Sequence, residues 1–315
     1  IMSGNSNPFE KKTEGVFFFK SSNPYEFYDL LNDKNMDDKQ DVWGTLIFPQ
    51  NAKKPCPLII PIHGSAGLRE GHHSHMVNLL EAGFAVFRIH HFESRGVISI
   101  VENQTAVTLA TMITDAFRAL SMLTLHPEID SSKIGIMGWS LGGSTAFYAA
   151  WQPIIERLSK NGEKFAAHLP IYPGTLLKPE DNRWSDSPMH VLFGEDDDYT
   201  PLNLCKRIID YMKPVRDVEL TTYPNAHHSF DSIDPVEYIP YAIKLKDMFI
   251  DLKMDGKQVF VDENNNTFHL DSPEERVRLL KETPNILGAH AGGNWAARKQ
   301  CHEDTISFFK KQFLS

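Results

Sequence analysis

Cysteine is scarce in this sequence. Its three residues, Cys56, Cys205 and Cys301, lie far apart and show no C-x-x-C spacing. A disulfide framework or a zinc site built on cysteines is therefore not expected, although one pair would be free to bridge in an exported protein. The sequence also lacks any run of about 18 consecutive apolar residues, so we expect no transmembrane helix. Residues 1–5 lack the basic and apolar regions of a secretory signal, which leaves the compartment open, cytoplasmic or exported.

Positive charge is in deficit as well. The 32 lysines and arginines against 41 aspartates and glutamates give a formal net charge of -9. This balance argues against nucleic acid and against an anionic membrane as partners. The length of 315 residues, 41% of them hydrophobic, suits one large α/β domain. We predict a single domain over residues 1–315, with a core at about 40–230 and an extension at 231–300 that packs on it. The oligomeric state stays open.

What the sequence does contain is a G-x-S-x-G motif at residues 138–142, with Ser140 at its centre. A β-branched run at 133–137 precedes the motif, and a run of small residues that can begin a helix follows it. In this strand–turn–helix context a sharp turn raises a nucleophilic serine above a parallel sheet. Glycines are needed at positions 138 and 142 because a Cβ there would collide with the neighbouring strand or helix. The alternative is an ordinary tight turn with an idle serine.

Apolar runs typical of buried strands alternate with helical patterns along the chain. Strands are predicted at residues 15–19, 42–48, 57–62, 84–89, 133–137, 165–172, 189–193 and 218–223. Helices are predicted at 75–82, 105–125 and 304–313, and a surface hairpin at 259–261 and 267–270. This order predicts an α/β fold with a mostly parallel central sheet flanked by helices. Residues 173–188 leave no room for a large cap domain, so loops should form the walls of an open site.

Candidate partners for Ser140 follow two of the later strands. Serine is a poor nucleophile unless a histidine accepts its proton and a carboxylate orients that histidine. Four acids at 195–198 follow one strand, and the adjacent His227 and His228 follow the next. Both clusters fall at the carboxyl edge of the sheet, where ligands bind in open α/β folds. The residues alone leave open which acid and which histidine would act.

From residue 58 to residue 230 the chain resembles the dienelactone hydrolase family. The resemblance is carried by five segments: 63–67 (HGSAG), 126–130 (HPEID), 138–143 (GWSLGG), 194–201 (G-x-x-D-x-x-x-P) and 223–230 (Y-P-x-A-x-H-x-F). It implies an α/β-hydrolase fold, with Asp197 as the acid and His228 as the base. The members that gave the family its name use a cysteine nucleophile, whereas this chain has Ser140. That departure favours a general serine esterase over a dienelactone substrate.

An oxyanion formed by such chemistry needs two backbone N–H donors. One is expected from Leu141, which follows the serine, and the family geometry implies Ser65 for the other. We therefore predict a serine hydrolase that cleaves carboxylic esters through an acyl-enzyme, with no metal or organic cofactor implied. Amide or thioester hydrolysis, a ligand receptor without turnover and a metal-dependent hydrolase are the alternatives. The segment after His228 is expected to shape one wall of the pocket.

Three further residues are candidates for substrate binding. Trp139 and Trp184 could stack on an aromatic acyl group, with buried packing as the equal alternative for each. A tryptophan beside the serine keeps aromatic polyesters open as substrates. Arg95 could hold a substrate carboxylate by the family resemblance, although a structural ion pair is the stronger interpretation. The histidines at 72, 73 and 75 are expected to lie in a polar loop at the mouth of the site, with a metal site as the weaker alternative.

Overall fold

The computed structural model describes residues 7–315, so the expectation about residues 1–5 lies outside the described part. The strands are β1 (Gly15–Ser21), β2 (Gln40–Ile47), β3 (Cys56–Ile62), β4 (Ala85–Ile89), β5 (Ile129–Trp139), β6 (Ala167–Ile171), β7 (Leu177–Pro179), β8 (His190–Gly194), β9 (Glu219–Tyr223), β10 (Glu237–Ile243), β11 (Ile250–Leu252), β12 (Gln258–Val261), β13 (Thr267–His269) and β14 (Leu287–Ala291). The helices are α1 (Phe27–Leu31), α2 (Glu70–Glu81), α3 (Leu109–Leu123), α4 (Leu141–Tyr148), α5 (Gln152–Leu158), α6 (Leu202–Met212), α7 (Pro273–Glu282) and α8 (Trp295–Phe313).

Eight strands form the central sheet, in the order β1-β2-β4-β3-β5-β6-β8-β9. Strands β1 and β2 run antiparallel to their neighbours. The other six strands of the sheet, β4, β3, β5, β6, β8 and β9, run parallel to one another. Every residue of β3 is buried, as expected for a strand covered on both faces. This is the predicted α/β fold, and the carboxyl ends of β5, β8 and β9 meet at one edge of the sheet.

Helices cover both faces of the sheet because their apolar sides have to be buried there. Twelve of the fifteen residues of α3 are buried, and its Phe117 packs edge-on against Phe165. From α8, Phe309 and Phe313 pack against Phe84. A Cβ at Gly135 of β5 would lie 2.8 Å from the Phe309 ring, so the glycine lets α8 approach the sheet. Within the described residues, no helix combines the length and the apolar character needed to cross a membrane.

The segment after residue 231 forms two small sheets beside the main one. Strands β10 and β14 pair with each other, and β13-β12-β11 continue onto β7 of the core. Residues 258–269 form the predicted hairpin. The sequence analysis missed four strands, β7, β10, β11 and β14, and four helices, α1, α5, α6 and α7. It also began the last helix at residue 304, although α8 begins at Trp295. The pairing of β11 with β7 supports our proposal that core and extension fold as one domain.

Candidate active site

Ser140 lies on a strained turn between β5 and α4. Its backbone angles of φ 55° and ψ -115° lie outside the regions that a serine normally adopts, and such a conformation costs on the order of 1–3 kcal/mol. Two glycines make room for the turn. A Cβ at Gly138 would lie 2.2 Å from the carbonyl oxygen of Gly142, and one at Gly142 would lie 1.9 Å from that of Ile62. The strand–turn–helix geometry expected from the sequence is therefore present around Ser140.

Ser140, His228 and Asp197 form a continuous series of hydrogen bonds. The Oγ of Ser140 lies 2.9 Å from Nε2 of His228, and Nδ1 of the same ring lies 2.8 Å from Oδ2 of Asp197. His228 and Asp197 are buried, whereas Ser140 is half-buried. With its proton on Nδ1, the imidazole donates to the carboxylate and can accept a proton from the serine hydroxyl. This arrangement can make the hydroxyl a nucleophile.

The Asp197 carboxylate is held in place by its own loop. Its Oδ1 accepts hydrogen bonds from the backbone N–H groups of Tyr199 at 2.9 Å and Thr200 at 2.8 Å, and its Oδ2 accepts one from the Thr200 hydroxyl at 3.0 Å. These donors fix the position of the oxygen that faces His228. The sequence analysis did not single out Thr200, although it lies inside the 194–201 segment.

The other three acids of that loop have different surroundings. Glu195 is exposed and accepts a hydrogen bond from Thr222, and Asp196 is exposed as well. Asp198 accepts hydrogen bonds from the backbone and the ring of His290 in β14. Burial would raise the pKa of Asp198, but these hydrogen bonds outweigh it and lower the pKa below its usual value.

Two tyrosines hold the His228 ring. Tyr199 stacks on it with the ring centres 4.6 Å apart, and Tyr172 packs against it at 4.7 Å. The loop of His228 is also tied to the extension. The backbone carbonyl of His228 accepts from the N–H of Gly292 at 2.8 Å, and that of Phe230 accepts from Asn294 at 2.9 Å. The neighbouring His227 points elsewhere, toward His290, with its ring centre 5.6 Å away.

The two N–H groups expected to stabilise an oxyanion lie near Ser140. Leu141 is the first residue of α4, where backbone N–H groups lack partners within the helix and attract negative charge. Ser65 lies in the loop after β3 and borders the same cavities as Ser140. Its side chain donates to Gln104 at 3.1 Å, and its carbonyl accepts from Ile100 at 2.8 Å. These bonds fix the loop and do not involve the Ser65 N–H.

Two cavities meet at Ser140. The first, which we call the apolar cavity, has a volume of about 220 Å³ and is lined mainly by leucine, isoleucine and other apolar side chains of the core and the extension. The second, the polar cavity, has a volume of about 650 Å³. It is lined by His228, by residues of the loop after β3 and by five charged residues: Arg69, Glu70, Asp231, Asp234 and Glu237. The extension thus contributes residues to the lining of both cavities. The site is therefore less open than one walled by loops alone.

The three residues expected to bind substrate do not reach these cavities equally. Trp139 lines the polar cavity but is 1% exposed and stacks on His72 at 4.1 Å. Trp184 packs against Phe147 and donates to Asn182, and within the described chain it borders neither cavity. A substrate contact of Trp184 is therefore not supported, and the packing that was the equal alternative is what its ring forms.

Arg95 is also placed away from the site. Its guanidinium binds the buried Asp115 through two hydrogen bonds of 2.8 and 2.9 Å, and His91 binds the same carboxylate at 2.7 Å. Burial would raise the pKa of Asp115, but Arg95 and His91 outweigh that effect and lower it. The structural ion pair is thus what Arg95 forms, and its role as a substrate carboxylate ligand is not supported.

The three histidines at 72, 73 and 75 lie on helix α2, not in a loop, and they do not converge. His72 stacks on Trp139, and His73 contacts Arg88 at the surface. His75 binds Oδ2 of Asp231 at 2.8 Å, and Tyr172 donates to Oδ1 of the same carboxylate at 2.7 Å. Ligand atoms of His75, Asp231 and Cys301 come within 4.8 Å of one another, but hydrogen bonds already occupy both Asp231 oxygens.

A parallel sheet with a serine on the β5–α4 turn and an acid and a histidine after β8 and β9 defines the α/β-hydrolase class. The chain belongs to the dienelactone hydrolase family, whose pattern it matches over residues 42–247. Among solved structures, an esterase from Thermogutta terrifontis with propionate bound is similar in fold. It has a TM-score of 0.51 and 16% identity, and the match covers 72% of this chain and 88% of that one.

Other solved structures resemble this chain at similar identity. The same Thermogutta terrifontis esterase, phosphoramylated by tabun, has a TM-score of 0.50 and 15% identity, with 73% of this chain and 88% of that chain covered. The ferulic acid complex of Est1E from Butyrivibrio proteoclasticus has a TM-score of 0.46 and 18% identity, with 60% and 87% covered. No curated protein sequence matches the chain.

Proposed function

We propose that this protein is a serine hydrolase that cleaves carboxylic esters through an acyl-enzyme intermediate. The observation that carries the proposal is the series Ser140–His228–Asp197, with separations of 2.9 and 2.8 Å. Membership of the dienelactone hydrolase family supports hydrolase chemistry. The substrate is a small-molecule or polymeric ester, and nothing in the proposed chemistry requires a cofactor.

In the first half of the reaction the Ser140 Oγ attacks the ester carbonyl while His228 Nε2 takes the hydroxyl proton. The Asp197 carboxylate holds the imidazole with Nδ1 protonated and stabilises the imidazolium that forms. The N–H groups of Leu141 and Ser65 bind the negative oxygen of the tetrahedral intermediate. As the intermediate collapses, the C–O bond to the alcohol breaks and His228 returns its proton to the leaving oxygen.

In the second half a water molecule attacks the acyl-enzyme. His228 accepts a proton from this water, a second tetrahedral intermediate forms in the same oxyanion site, and its collapse releases the acid and restores Ser140. Aromatic polyesters are candidate substrates through Trp139, which lines the polar cavity. Amides and thioesters would follow the same steps with a different leaving atom.

The proposal is tested with p-nitrophenyl esters and a fluorophosphonate label. We expect the wild type to hydrolyse these esters and to be labelled. Ser140→Ala should not be labelled, and its kcat should be at least about 10⁴-fold lower. Ser132→Ala is the matched control, because Ser132 is an exposed serine in β5, the strand that ends beside Ser140. It should keep both properties.

Three results would count against the proposal. Activity retained by Ser140→Ala would show that another group is the nucleophile. A single labelling event without release of acid would favour a ligand receptor. Loss of activity on adding a chelator would favour the metal-dependent alternative.

A further inference from the structure

The two cavities at Ser140 differ in which catalytic groups border them. Among the described residues, Leu141 lines the apolar cavity and not the polar one, whereas His228 lines the polar cavity and not the apolar one. Ser140 and Ser65 border both. The carbonyl carbon of an ester bonded to Ser140 therefore has Leu141 on its apolar side and His228, the proposed proton donor, on its polar side.

This asymmetry fixes which half of an ester lies in which cavity. The leaving alcohol oxygen takes its proton from His228, so it has to lie on the side of the cavity that His228 lines. We infer that the alcohol half occupies the polar cavity and the acyl half the apolar cavity. The preferred substrates are thus esters that join an apolar acid of several carbons to a small or polar alcohol. This inference rests on the proposed ester hydrolysis.

The extension supplies much of the apolar wall. Leu109 and Leu176 of the core line the apolar cavity together with four apolar residues of this segment: Met248, Leu279, Leu280 and Ile286. One water-sized occupant needs about 10–15 Å³ of such space, so about 220 Å³ holds far more than an acetyl group. Each methylene that enters should raise kcat/KM on the order of fourfold until the space is filled.

Charged residues also border the apolar cavity, but the buried ones are already paired. Glu26 is buried, contacts the Arg276 guanidinium and accepts a hydrogen bond from Gln258. The same arginine donates to the backbone carbonyl of Gln104 at 3.1 Å. A second carboxylate at the far end of the acid would therefore meet Arg276, whose guanidinium already contacts Glu26 and the carbonyl of Gln104. The acid is expected to be apolar along its length.

Two isomeric esters test the orientation directly. Ethyl hexanoate and hexyl acetate have the same atoms and differ in which side of the ester bond carries the long chain. Measured by acid release at constant pH, ethyl hexanoate should show at least a tenfold higher kcat/KM. Equal values, or a preference for hexyl acetate, would overturn the inference while leaving ester hydrolysis intact. If neither ester is cleaved although p-nitrophenyl esters are, the orientation alone fails. If no ester is cleaved, the proposed function fails and the orientation fails with it.

A third ester tests the apolar character of the acid. Monoethyl adipate has the six-carbon acyl chain of ethyl hexanoate but ends in a carboxylate. Its kcat/KM should be at least tenfold below that of ethyl hexanoate. A higher value would mean that Lys244, Lys246 or Arg276, which border the cavity, bind the carboxylate, and the apolar assignment would be wrong.

A variant of the extension tests the location. Leu280→Trp should fill the cavity and lower the ratio of kcat/KM for ethyl hexanoate over ethyl acetate at least tenfold. Val277→Trp is the control, because Val277 lies on the same helix and is exposed at the surface. If Leu280→Trp does not fold, Leu280→Ala should move the preferred acid toward longer chains. An unchanged chain-length profile in a folded Leu280 variant would contradict the inference.

Discussion

The pairs His228–Asp197 and His75–Asp231 are both buried, and in both a ring nitrogen lies 2.8 Å from a carboxylate oxygen. They differ in what the second ring nitrogen meets. Nε2 of His228 reaches the Ser140 hydroxyl beside an open cavity, whereas Nδ1 of His75 has no hydrogen-bond partner among the described residues. A histidine–aspartate pair therefore marks a catalytic candidate only when its free nitrogen faces a nucleophile.

The surroundings of the two carboxylates point to different roles. Two backbone N–H groups and a hydroxyl hold Asp197 in its loop. The Asp231 carboxylate accepts hydrogen bonds from His75 and Tyr172, and the backbone carbonyl of Asp231 accepts one from Arg298 of α8. Burial would raise the pKa of Asp231. The hydrogen bond from His75 and the charge interactions with His75 and His72 outweigh burial and hold this pKa well below its usual value. We interpret the second pair as a structural junction behind the site.

The largest expected contrast comes from replacing each histidine. His228→Gln should lower kcat at least about 10⁴-fold, because glutamine cannot take the proton of Ser140. His75→Gln should leave kcat within about tenfold, since its amide can still donate to Asp231. Steady-state kinetics with a p-nitrophenyl ester, together with circular dichroism to confirm folding, measures both. Equal losses of kcat in two folded variants would erase the distinction between the pairs.

Replacing each carboxylate should separate activity from stability. Asp197→Asn should lower kcat on the order of 10³–10⁴-fold, because an amide N–H facing Nδ1 favours the tautomer that cannot accept from serine. Asp231→Asn should keep kcat within about tenfold but lower the free energy of unfolding by about 1–3 kcal/mol, as Tyr172 or His75 loses its acceptor. Urea unfolding and kinetics on the same samples measure both effects. A loss of kcat in Asp231→Asn as large as that in Asp197→Asn would contradict the structural role.

Buried histidines without a carboxylate sharpen the comparison further. Burial lowers the pKa of His168 from 6.5 to about 3, while its ring bonds the carbonyl of Ala146 at 2.8 Å. Because folding makes His168 harder to protonate, its contribution to the free energy of unfolding is fully present above pH 6.5. This contribution is lost as the pH falls from 6.5 toward 3. From pH 7.5 to pH 5 His168 should account for about 2 kcal/mol of lost stability. Urea unfolding of His168→Gln should show a pH-dependent loss that is smaller by this amount, and an unchanged loss would contradict the assignment.

The strongest local patterns predicted the central sheet. Continuous apolar runs such as β3, and the glycines around Ser140, leave few alternative conformations, so the sequence-based prediction matches the fold there. The extension was predicted less well because its strands are short and partly exposed. Helix α7 had a usable signal: Ser272 caps it, Pro273 follows, and two acids occupy the first turn.

The site was predictable in its residue types but not in its shape. The order serine, acid, histidine follows the chain, and the family resemblance chose Asp197 and His228 from their clusters. By contrast, Trp184 and Arg95 are typical of binding residues in sequence, and only packing shows that they contact Phe147 and Asp115. Each cavity is lined by residues more than 200 positions apart in the sequence, such as Glu26 and Arg276 in the apolar cavity. A local sequence pattern cannot predict that such distant residues lie close together.

The hydrogen bonds from Gly292 and Asn294 to the His228 loop can form only late in the synthesis of the chain. A ribosome completes Ser140, Asp197 and His228 more than 60 residues before it reaches the segment that fixes the histidine loop from outside. The Gly292 position also tolerates no side chain, because a Cβ there would lie 2.3 Å from the carbonyl oxygen of Pro235. The nascent chain therefore carries all three groups before these hydrogen bonds can form, and we expect hydrolysis only after the extension has emerged and docked.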